Sequence, residues 1–263
     1  MSDVTGPEPS PEHEPHDPEH EHILRAIEHV FARSGRALSD LEHRAVPAWQ
    51  THTQGEQRWI VSATVAVAIA LQLTLPRKLG LPPQWLLPIL GAALLVGLLI
   101  ANPTRIDRRS MRLRATSISL VVVLSLSNAA SAVRLIAGVL DGKLGSKAGA
   151  LLVSGGAIWA TNVIVFGLWY WELDRGGPAA RAHGVKKFPD FAFTQMMSPD
   201  LAPPDWEPAF LDYLYLSFTN ATAFSPTDVL PMNPWAKMTM MFQSAISLST
   251  VALVIARAVN ILQ

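Results

Sequence analysis

The stretch AGALLVSGGAIWATNVIVFGLWYW, residues 148–171, contains no charged side chain. A hydrocarbon core about 30 Å thick requires roughly 20 predominantly apolar residues in a spanning helix. Such a run takes the form of a helix because lipid cannot satisfy free backbone N–H and C=O groups. The stretch therefore predicts a membrane-spanning helix. Within it, Ser154, Gly155 and Gly156 are typical of a close contact between helices.

Four further apolar windows accompany this run, at residues 59–75, 85–101, 116–140 and 235–261. The last of them also carries Gln243 and Arg257, but its centre AISLSTVALVIA is apolar. The composition agrees, because 49% of the residues are hydrophobic and 16% are charged, against about 25% charged in soluble domains. We therefore expect an all-α, multi-pass protein of the cell membrane, plasma or inner, with the lipid bilayer as its first partner.

The segment before the first window divides into two parts. Residues 1–22 are rich in Pro, Glu and His, and such a composition predicts a disordered tail. Residues 23–58 contain an apolar stripe at helical spacing, which predicts an amphipathic helix on the membrane face or on another subunit. The stripe consists of Ile23, Leu24, Ile27, Val30, Phe31, Leu38 and Leu41.

Four histidines of the tail, His13, His16, His20 and His22, form a candidate metal site. Neutral imidazoles among carboxylates are suitable ligands for Zn²⁺ or Ni²⁺. The preferred interpretation is nevertheless a solvated acidic tail whose histidines titrate near neutral pH, because the spacing implies no rigid geometry.

The distribution of basic residues predicts the orientation. The connection RIDRRSMRLR, residues 105–114, holds five arginines, whereas the loops at Arg77/Lys78 and Lys143/Lys147 hold two basic residues each. Because short cytoplasmic loops carry an excess of Lys and Arg, we expect residues 105–114 and the N-terminus to be cytoplasmic.

The stretch YLSFTNATAFSPTDVLP, residues 215–231, separates two apolar segments. Its order of residue types resembles the pore domain of tetrameric potassium channels, with residues 148–171 as an outer helix and the apolar segment after Pro231 as an inner helix. The resemblance covers roughly the last fifty residues and this outer helix. It implies a pore helix with Tyr215, Ser217, Phe218 and Thr219, and a filter region with Thr222, Ala223, Phe224, Ser225, Pro226, Thr227 and Asp228.

The filter region departs from the family at its centre. Ala223–Phe224–Ser225–Pro226–Thr227 stands where the family has TVGYG. The family's glycines allow successive carbonyls to line the axis, and a proline among residues with side chains resists that geometry. A potassium-selective filter is therefore not expected. Phe224 could form an apolar constriction, and Asp228 suits a structural turn or cap.

Two topologies follow from these observations. In the first, three N-terminal helices (residues 59–140) precede a channel-like pore domain (residues 148–263), which gives five transmembrane helices and a re-entrant helix-loop. In the second, residues 209–224 cross the membrane as a sixth helix and SPTDVLPMNP forms a turn on the opposite side. The second topology matches a non-conducting structural or regulatory protein, or a small transporter.

Other function classes find little support. The chain lacks the H-E-x-x-H and G-x-S-x-G motifs, and it has no cysteine, so we expect neither an enzyme nor a cofactor. Lys plus Arg and Asp plus Glu both number 21, and we expect no nucleic-acid partner. One pore-like unit cannot enclose an axis, so a pore requires a homo-oligomer, most simply a tetramer, with ions as ligands.

Overall fold

The computed structural model describes residues 48–102, 105–106, 110–142, 148–223 and 228–262. The predicted tail 1–22, its histidines and the amphipathic stripe of residues 23–41 lie outside the described residues. The described part is mainly helical. Its α-helices are α1 (Arg58–Thr74), α2 (Leu86–Ala101), α3 (Met111–Leu140), α4 (Ala148–Leu173), α5 (Pro178–Ala182), α6 (Thr194–Met197), α7 (Phe210–Ala223) and α8 (Pro234–Leu262).

Within the described part of the chain, three helices are long and apolar enough to cross a membrane: Met111–Leu140, Ala148–Gly176 and Pro234–Ile261. The other two apolar windows form α1 and α2, which have 17 and 16 residues. At about 1.5 Å per residue these two helices are roughly 24–26 Å long, somewhat shorter than the hydrocarbon core. The all-α class predicted from the sequence agrees with this arrangement.

Helix α4 lies at the centre of the bundle and packs against α1, α3, α7 and α8. It is apolar on every side, and every residue from Thr161 to Leu168 is buried. Glycine allows close approach at two of these contacts. A Cβ atom at Gly155 would lie 2.8 Å from the Val254 Cγ2 atom of α8, and one at Gly167 would lie 3.2 Å from the Leu214 Cα atom of α7. The close helix packing predicted at Gly155 is confirmed.

The starts of several helices meet at one end of the bundle. Strand β1 (Glu56–Gln57) pairs antiparallel with β2 (Arg105–Ile106), which brings the start of α1 next to the chain that follows α2. The Glu56 carboxylate accepts hydrogen bonds from Trp171 Nε1 near the end of α4 and from the backbone N–H of Phe210 at the start of α7. We call the end of the bundle at which these residues meet the basal end, and the opposite end the apical end.

A second small sheet returns the chain to the basal end after α7. Strand β3 (Phe191–Phe193) precedes α7, strand β4 (Val229–Pro231) follows it, and the two pair antiparallel with Phe193 opposite Val229. The Phe191 ring contacts the rings of both Tyr170 and Trp235, at the end of α4 and the start of α8. Both α7 and α8 therefore begin at the basal end.

Polar contacts towards the apical end join α1 to α3. Gln72 Nε2 donates to Asn128 Oδ1 at 3.3 Å, and Ser127 Oγ donates to Gln72 Oε1 at 2.7 Å. The Arg134 guanidinium donates to the backbone carbonyl of Gly80, in the segment between α1 and α2. Asn128 and Arg134 of α3 thus hold helices and loops together.

Candidate functional site

Helix α7 lies antiparallel to α4 and covers only part of its length. The Phe210 ring at its start contacts the Trp171 ring at 5.8 Å between centroids, and the Phe218 ring contacts the Trp159 ring at 5.9 Å. Between these contacts, Ser217 Oγ donates to the Val163 carbonyl at 2.6 Å. With 14 residues α7 is about 21 Å long, whereas α4 with 26 residues is about 39 Å long.

Four buried side chains join α4, α7 and α8 midway along the bundle. We call Tyr170, Ser217, Asn220 and Gln243 the central cluster. Tyr170 Oη and Asn220 Nδ2 donate to Gln243 Oε1 at 2.6 and 2.8 Å. Gln243 Nε2 donates to the Ser217 carbonyl and hydroxyl oxygens at 2.9 and 2.7 Å. Each group is neutral, and the amide of Gln243 uses both its oxygen and its nitrogen.

Further bonds extend this arrangement along α8. Asn220 Nδ2 also donates to the Met240 carbonyl at 3.0 Å, and Asn162 Nδ2 of α4 donates to Ser247 Oγ at 3.4 Å. Asn162 and Gln243 therefore hydrogen-bond across helices. Because buried polar groups are costly without partners and cooperative within networks, the cluster fixes α7 against both neighbours.

A second group of buried side chains holds the basal end. We call Asp174, Arg175, Asp190 and Tyr213 the basal cluster. Tyr213 Oη donates to Asp174 Oδ2 at 2.6 Å, and the Asp190 N–H donates to Asp174 Oδ1 at 2.9 Å. The Arg175 N–H donates to Asp190 Oδ2 at 2.6 Å, and Arg175 Nε lies 3.5 Å from Asp174 Oδ2. Arg175 adopts a φ of 50°, in the left-handed region.

Asp190 also reaches the start of α8. Its carboxylate accepts hydrogen bonds from the Asn233 side chain and, at 3.3 Å, from Trp235 Nε1. Its backbone carbonyl accepts from the Met232 N–H at 2.9 Å. The basal cluster thus connects the end of α4 with α7, β3 and α8.

Glu56 makes a separate connection at the same end. Burial raises the pKa of the Glu56 carboxyl above its ordinary value, although the hydrogen bonds from Phe210 and Trp171 act in the opposite direction. A proton on Glu56 would change the acceptor of the first N–H of α7. The start of α7 is therefore held by a titratable group.

The structure describes three of the seven filter-like residues. Thr222 and Ala223 are the last two residues of α7, and the Thr222 hydroxyl donates to the Phe218 carbonyl of its own helix at 2.9 Å. Asp228 is the next described residue after Ala223. Its backbone carbonyl accepts a hydrogen bond from Thr194 Oγ1 at 2.8 Å, next to β3. Residues 224–227, which are Phe224, Ser225, Pro226 and Thr227, lie outside the described residues.

The pore-helix-like residues face in different directions. Ser217 is buried in the central cluster, and Thr219 donates within its own helix, to the carbonyls of Tyr215 and Leu216. Tyr215 and Phe218 are 54% and 47% exposed on the single chain. Both large aromatic side chains are therefore available to lipid or to a neighbouring chain.

Sequence reasoning singled out Gln243 but not the basal cluster. Asp174 and Asp190 are separated along the chain, and Tyr213 lies on another helix. The only local signal was WELDR, residues 171–175, a group of charges directly after the apolar run. Among the residues that the structure describes, no group of three or more His, Asp or Glu side chains could hold a metal ion.

Comparisons of the chain with protein-family models, with curated proteins and with solved structures found no match. Function is therefore inferred from the geometry of α4, α7 and α8 and from the residues around them.

Proposed function

We propose that the protein is a multi-pass protein of the cell membrane in which α4, α7 with its following loop, and α8 form an ion-channel-like pore unit that is not potassium-selective. The observation that carries the proposal is the pairing of β3 with β4. It supports a re-entrant path, because the chain returns after α7 to the end from which α7 starts. This helix, loop and helix order is the one implied by the resemblance to channel pore domains.

The same pairing argues against a sixth crossing. A crossing by residues 209–224 would place SPTDVLPMNP at the end opposite to the segment before α7. Strand β4 lies within that stretch and pairs with β3, which precedes α7. In addition, the roughly 21 Å length of α7 is short for a hydrocarbon core of about 30 Å.

The direction of insertion follows from the basic residues. Arg58, Arg105, Arg112, Arg114 and Arg175 lie at or near the basal end. We infer that the basal end is cytoplasmic, so that α7 enters from the cytoplasmic side and the C-terminus of α8 lies outside. Changing most of the arginines in residues 105–114 to glutamine should weaken or invert this orientation. A C-terminal reporter that keeps its side and yield would show that other signals dominate.

Cysteine accessibility distinguishes the two topologies directly, because the natural chain has no cysteine. Ser198→Cys lies between β3 and α7, and Asn260→Cys lies near the end of α8. An impermeant thiol reagent should label Asn260→Cys on intact cells and Ser198→Cys only after the membrane is permeabilised. Labelling of both from the same side would support six crossings and contradict the re-entrant path.

A pore of this kind requires several chains around one axis. The exposed faces of α7 and α8 carry large apolar side chains suited to lipid or a neighbouring chain: Leu211, Tyr215, Phe218, Met241, Phe242 and Leu248. We therefore propose closed cyclic symmetry, most simply fourfold. Mass measurement in nanodiscs should give a closed oligomer, and a monomer would contradict the pore proposal.

Ion flux tests the function itself. The protein should be reconstituted into liposomes with gradients of potassium, sodium and chloride. Flux without preference for potassium supports the proposal, because residues 223–227 lack the two glycines of a carbonyl filter. A reversal potential that follows potassium alone would contradict it, and silence toward all three ions would favour a non-conducting structural or regulatory role.

A matched pair of variants localises the path. Phe224→Ala should change the conductance if Phe224 forms an apolar constriction at the end of α7. Phe188→Ala removes a ring that is 80% exposed between α5 and β3, and it should leave conductance unchanged. Equal effects of both substitutions would move the path away from Phe224.

A further inference from the structure

A cavity of about 300 Å³ lies among α1, α2, α3 and α4 near the basal end. This volume is at the lower end of the range of pockets that hold small ligands. On three helices the charged lining residue lies nearer the basal end than the apolar ones: Arg58 before Val65 on α1, Arg114 before Leu120 on α3, and Glu172 after Leu168 on α4. The cavity is therefore polar at its basal side and apolar towards the middle of the bundle.

Arg58 supplies an unsatisfied donor at the polar side. Its side chain is only 7% exposed, and its Nε atom has no hydrogen-bond partner among the described residues. A buried guanidinium N–H without an acceptor is costly, and Arg58 lines the cavity, so its guanidinium group is placed to bind an anion there. This donor distinguishes the cavity from a simple packing gap.

The charges of the lining favour a single negative group. The charged residues among the described lining are Arg58, Arg114 and Glu172, two cations and one anion when Glu172 is ionised. The Glu172 carboxylate already accepts a hydrogen bond from the Ser117 hydroxyl. Guanidinium groups bind carboxylates and phosphates through paired N–H donors, so either head group would fit.

The apolar part selects against a purely hydrophilic anion. Val61, Val65, Leu98, Leu120 and Leu168 line it, and a charged or polar ligand atom placed there would lose its hydration without a partner. An alkyl chain in the same space would leave water or lipid for an apolar contact.

We propose that this cavity binds an anionic amphiphile, with a carboxylate or phosphate head group at Arg58 and Arg114 and an acyl chain between α1, α2, α3 and α4. The site shares α4 with the pore unit, but ligand binding there does not depend on ion conduction. A membrane phospholipid or a free fatty acid could supply this chemistry, and binding measurements separate the two sources.

The test uses the full chain, purified in dodecyl maltoside, with its unfolding temperature followed by tryptophan fluorescence. Laurate, phosphatidylglycerol, phosphatidylcholine and inorganic phosphate are added in separate titrations. A ligand that binds only the folded state raises the unfolding temperature with concentration. We expect a rise with laurate, with phosphatidylglycerol or with both, and none with phosphate or phosphatidylcholine.

Each outcome of these titrations either identifies the source of the ligand or overturns the proposal. A rise with phosphatidylglycerol alone identifies a lipid, and a rise with laurate alone identifies a free fatty acid. An equal rise with phosphate would overturn the amphiphile, because the acyl chain would then contribute nothing. An equal rise with phosphatidylcholine, or no rise with any compound, would overturn the proposal as well.

Variants test the location. Arg58→Gln and, at the exposed rim, Arg114→Gln should each weaken the apparent Kd about tenfold, the scale of one charge-assisted hydrogen bond. Ser62→Phe should block binding by filling the cavity that Ser62 lines. Arg112→Gln removes an exposed arginine of the same helix that does not line the cavity, and it should bind like the natural chain. Loss of binding in Arg112→Gln alone would place the site elsewhere.

Discussion

The central cluster and the basal cluster both hold α7 in place, but they differ in charge. The central cluster joins Tyr170, Ser217 and Asn220 through the neutral amide of Gln243. In the basal cluster, the carboxylates of Asp174 and Asp190 accept hydrogen bonds from the Tyr213 hydroxyl and from the backbone N–H groups of Asp190 and Arg175. One helix is thus fixed by uncharged groups along its length and by ionised groups at its start.

The difference corresponds to depth in the bundle. A charge near the middle of a bilayer is costly, and charged side chains in membrane proteins gather at helix ends or in polar interiors. A neutral amide donates and accepts at once, so Gln243 can serve three helices without a counter-ion. At the basal end, short strands and turns supply backbone N–H donors that ionised carboxylates bind strongly.

Removal of a basal carboxylate should have the largest effect. Asp174→Ala leaves the Arg175 guanidinium, only 1% exposed, without its 3.5 Å partner and removes the acceptors of Tyr213 and Asp190. Breaking a buried ion pair typically costs about 3–5 kcal/mol. Denaturant unfolding in detergent measures this loss. Asp200→Ala removes an exposed carboxylate from the turn before α7 and should stay within about 0.5 kcal/mol of the natural chain.

Removal of the central amide should have a smaller effect. Gln243→Leu deletes four hydrogen bonds to α4 and α7, but each involves neutral groups. We expect a loss of about 2 kcal/mol, since hydrogen bonds between membrane helices average about 0.6 kcal/mol. The same unfolding assay applies, with Ser249→Leu on the exposed face of α8 as control. A cost as large as that of Asp174→Ala would contradict the distinction between the clusters.

The apolar contact between α4 and α8, away from both clusters, should be less sensitive still. Gly155→Ala places a Cβ atom 2.8 Å from Val254 Cγ2, whereas Gly156→Ala meets no atom within 4 Å. We expect Gly155→Ala to be about 1 kcal/mol less stable than Gly156→Ala, the lower limit for overpacking. Equal stability would show that Val254 moves aside freely.

The pH dependence of Glu56 gives the smallest expected effect. Burial raises its pKa in the folded chain, so the stabilisation from its proton is complete below the ordinary Glu pKa of about 4.3 and is lost as pH rises through the raised pKa. Glu56→Gln cannot titrate. The stability of Glu56→Gln relative to the natural chain should therefore increase as pH rises through this window. A constant difference, measured by unfolding at several pH values, would contradict a raised pKa.

The sequence predicted the helices better than the links between them. The apolar runs at residues 116–140, 148–171 and 235–261 correspond to α3, α4 and α8, because a long uncharged segment leaves few other structures for the backbone. It also located the polar Gln243 within the last of these runs. It missed Asp174 and Asp190, because the short segments after α4 and before β3 show no periodicity that identifies a partner.

The sequence alone thus determined the class of the protein and the positions of its long helices. The length of an apolar run and its lack of charged residues are local properties of the chain. Only the tertiary structure decided that α7 and α8 begin at the same end, that Asp190 links α4 to α8, and that Arg58 faces a cavity. These features bring together residues far apart in the sequence. Their free energy depends on which groups share a buried space, and composition does not specify that.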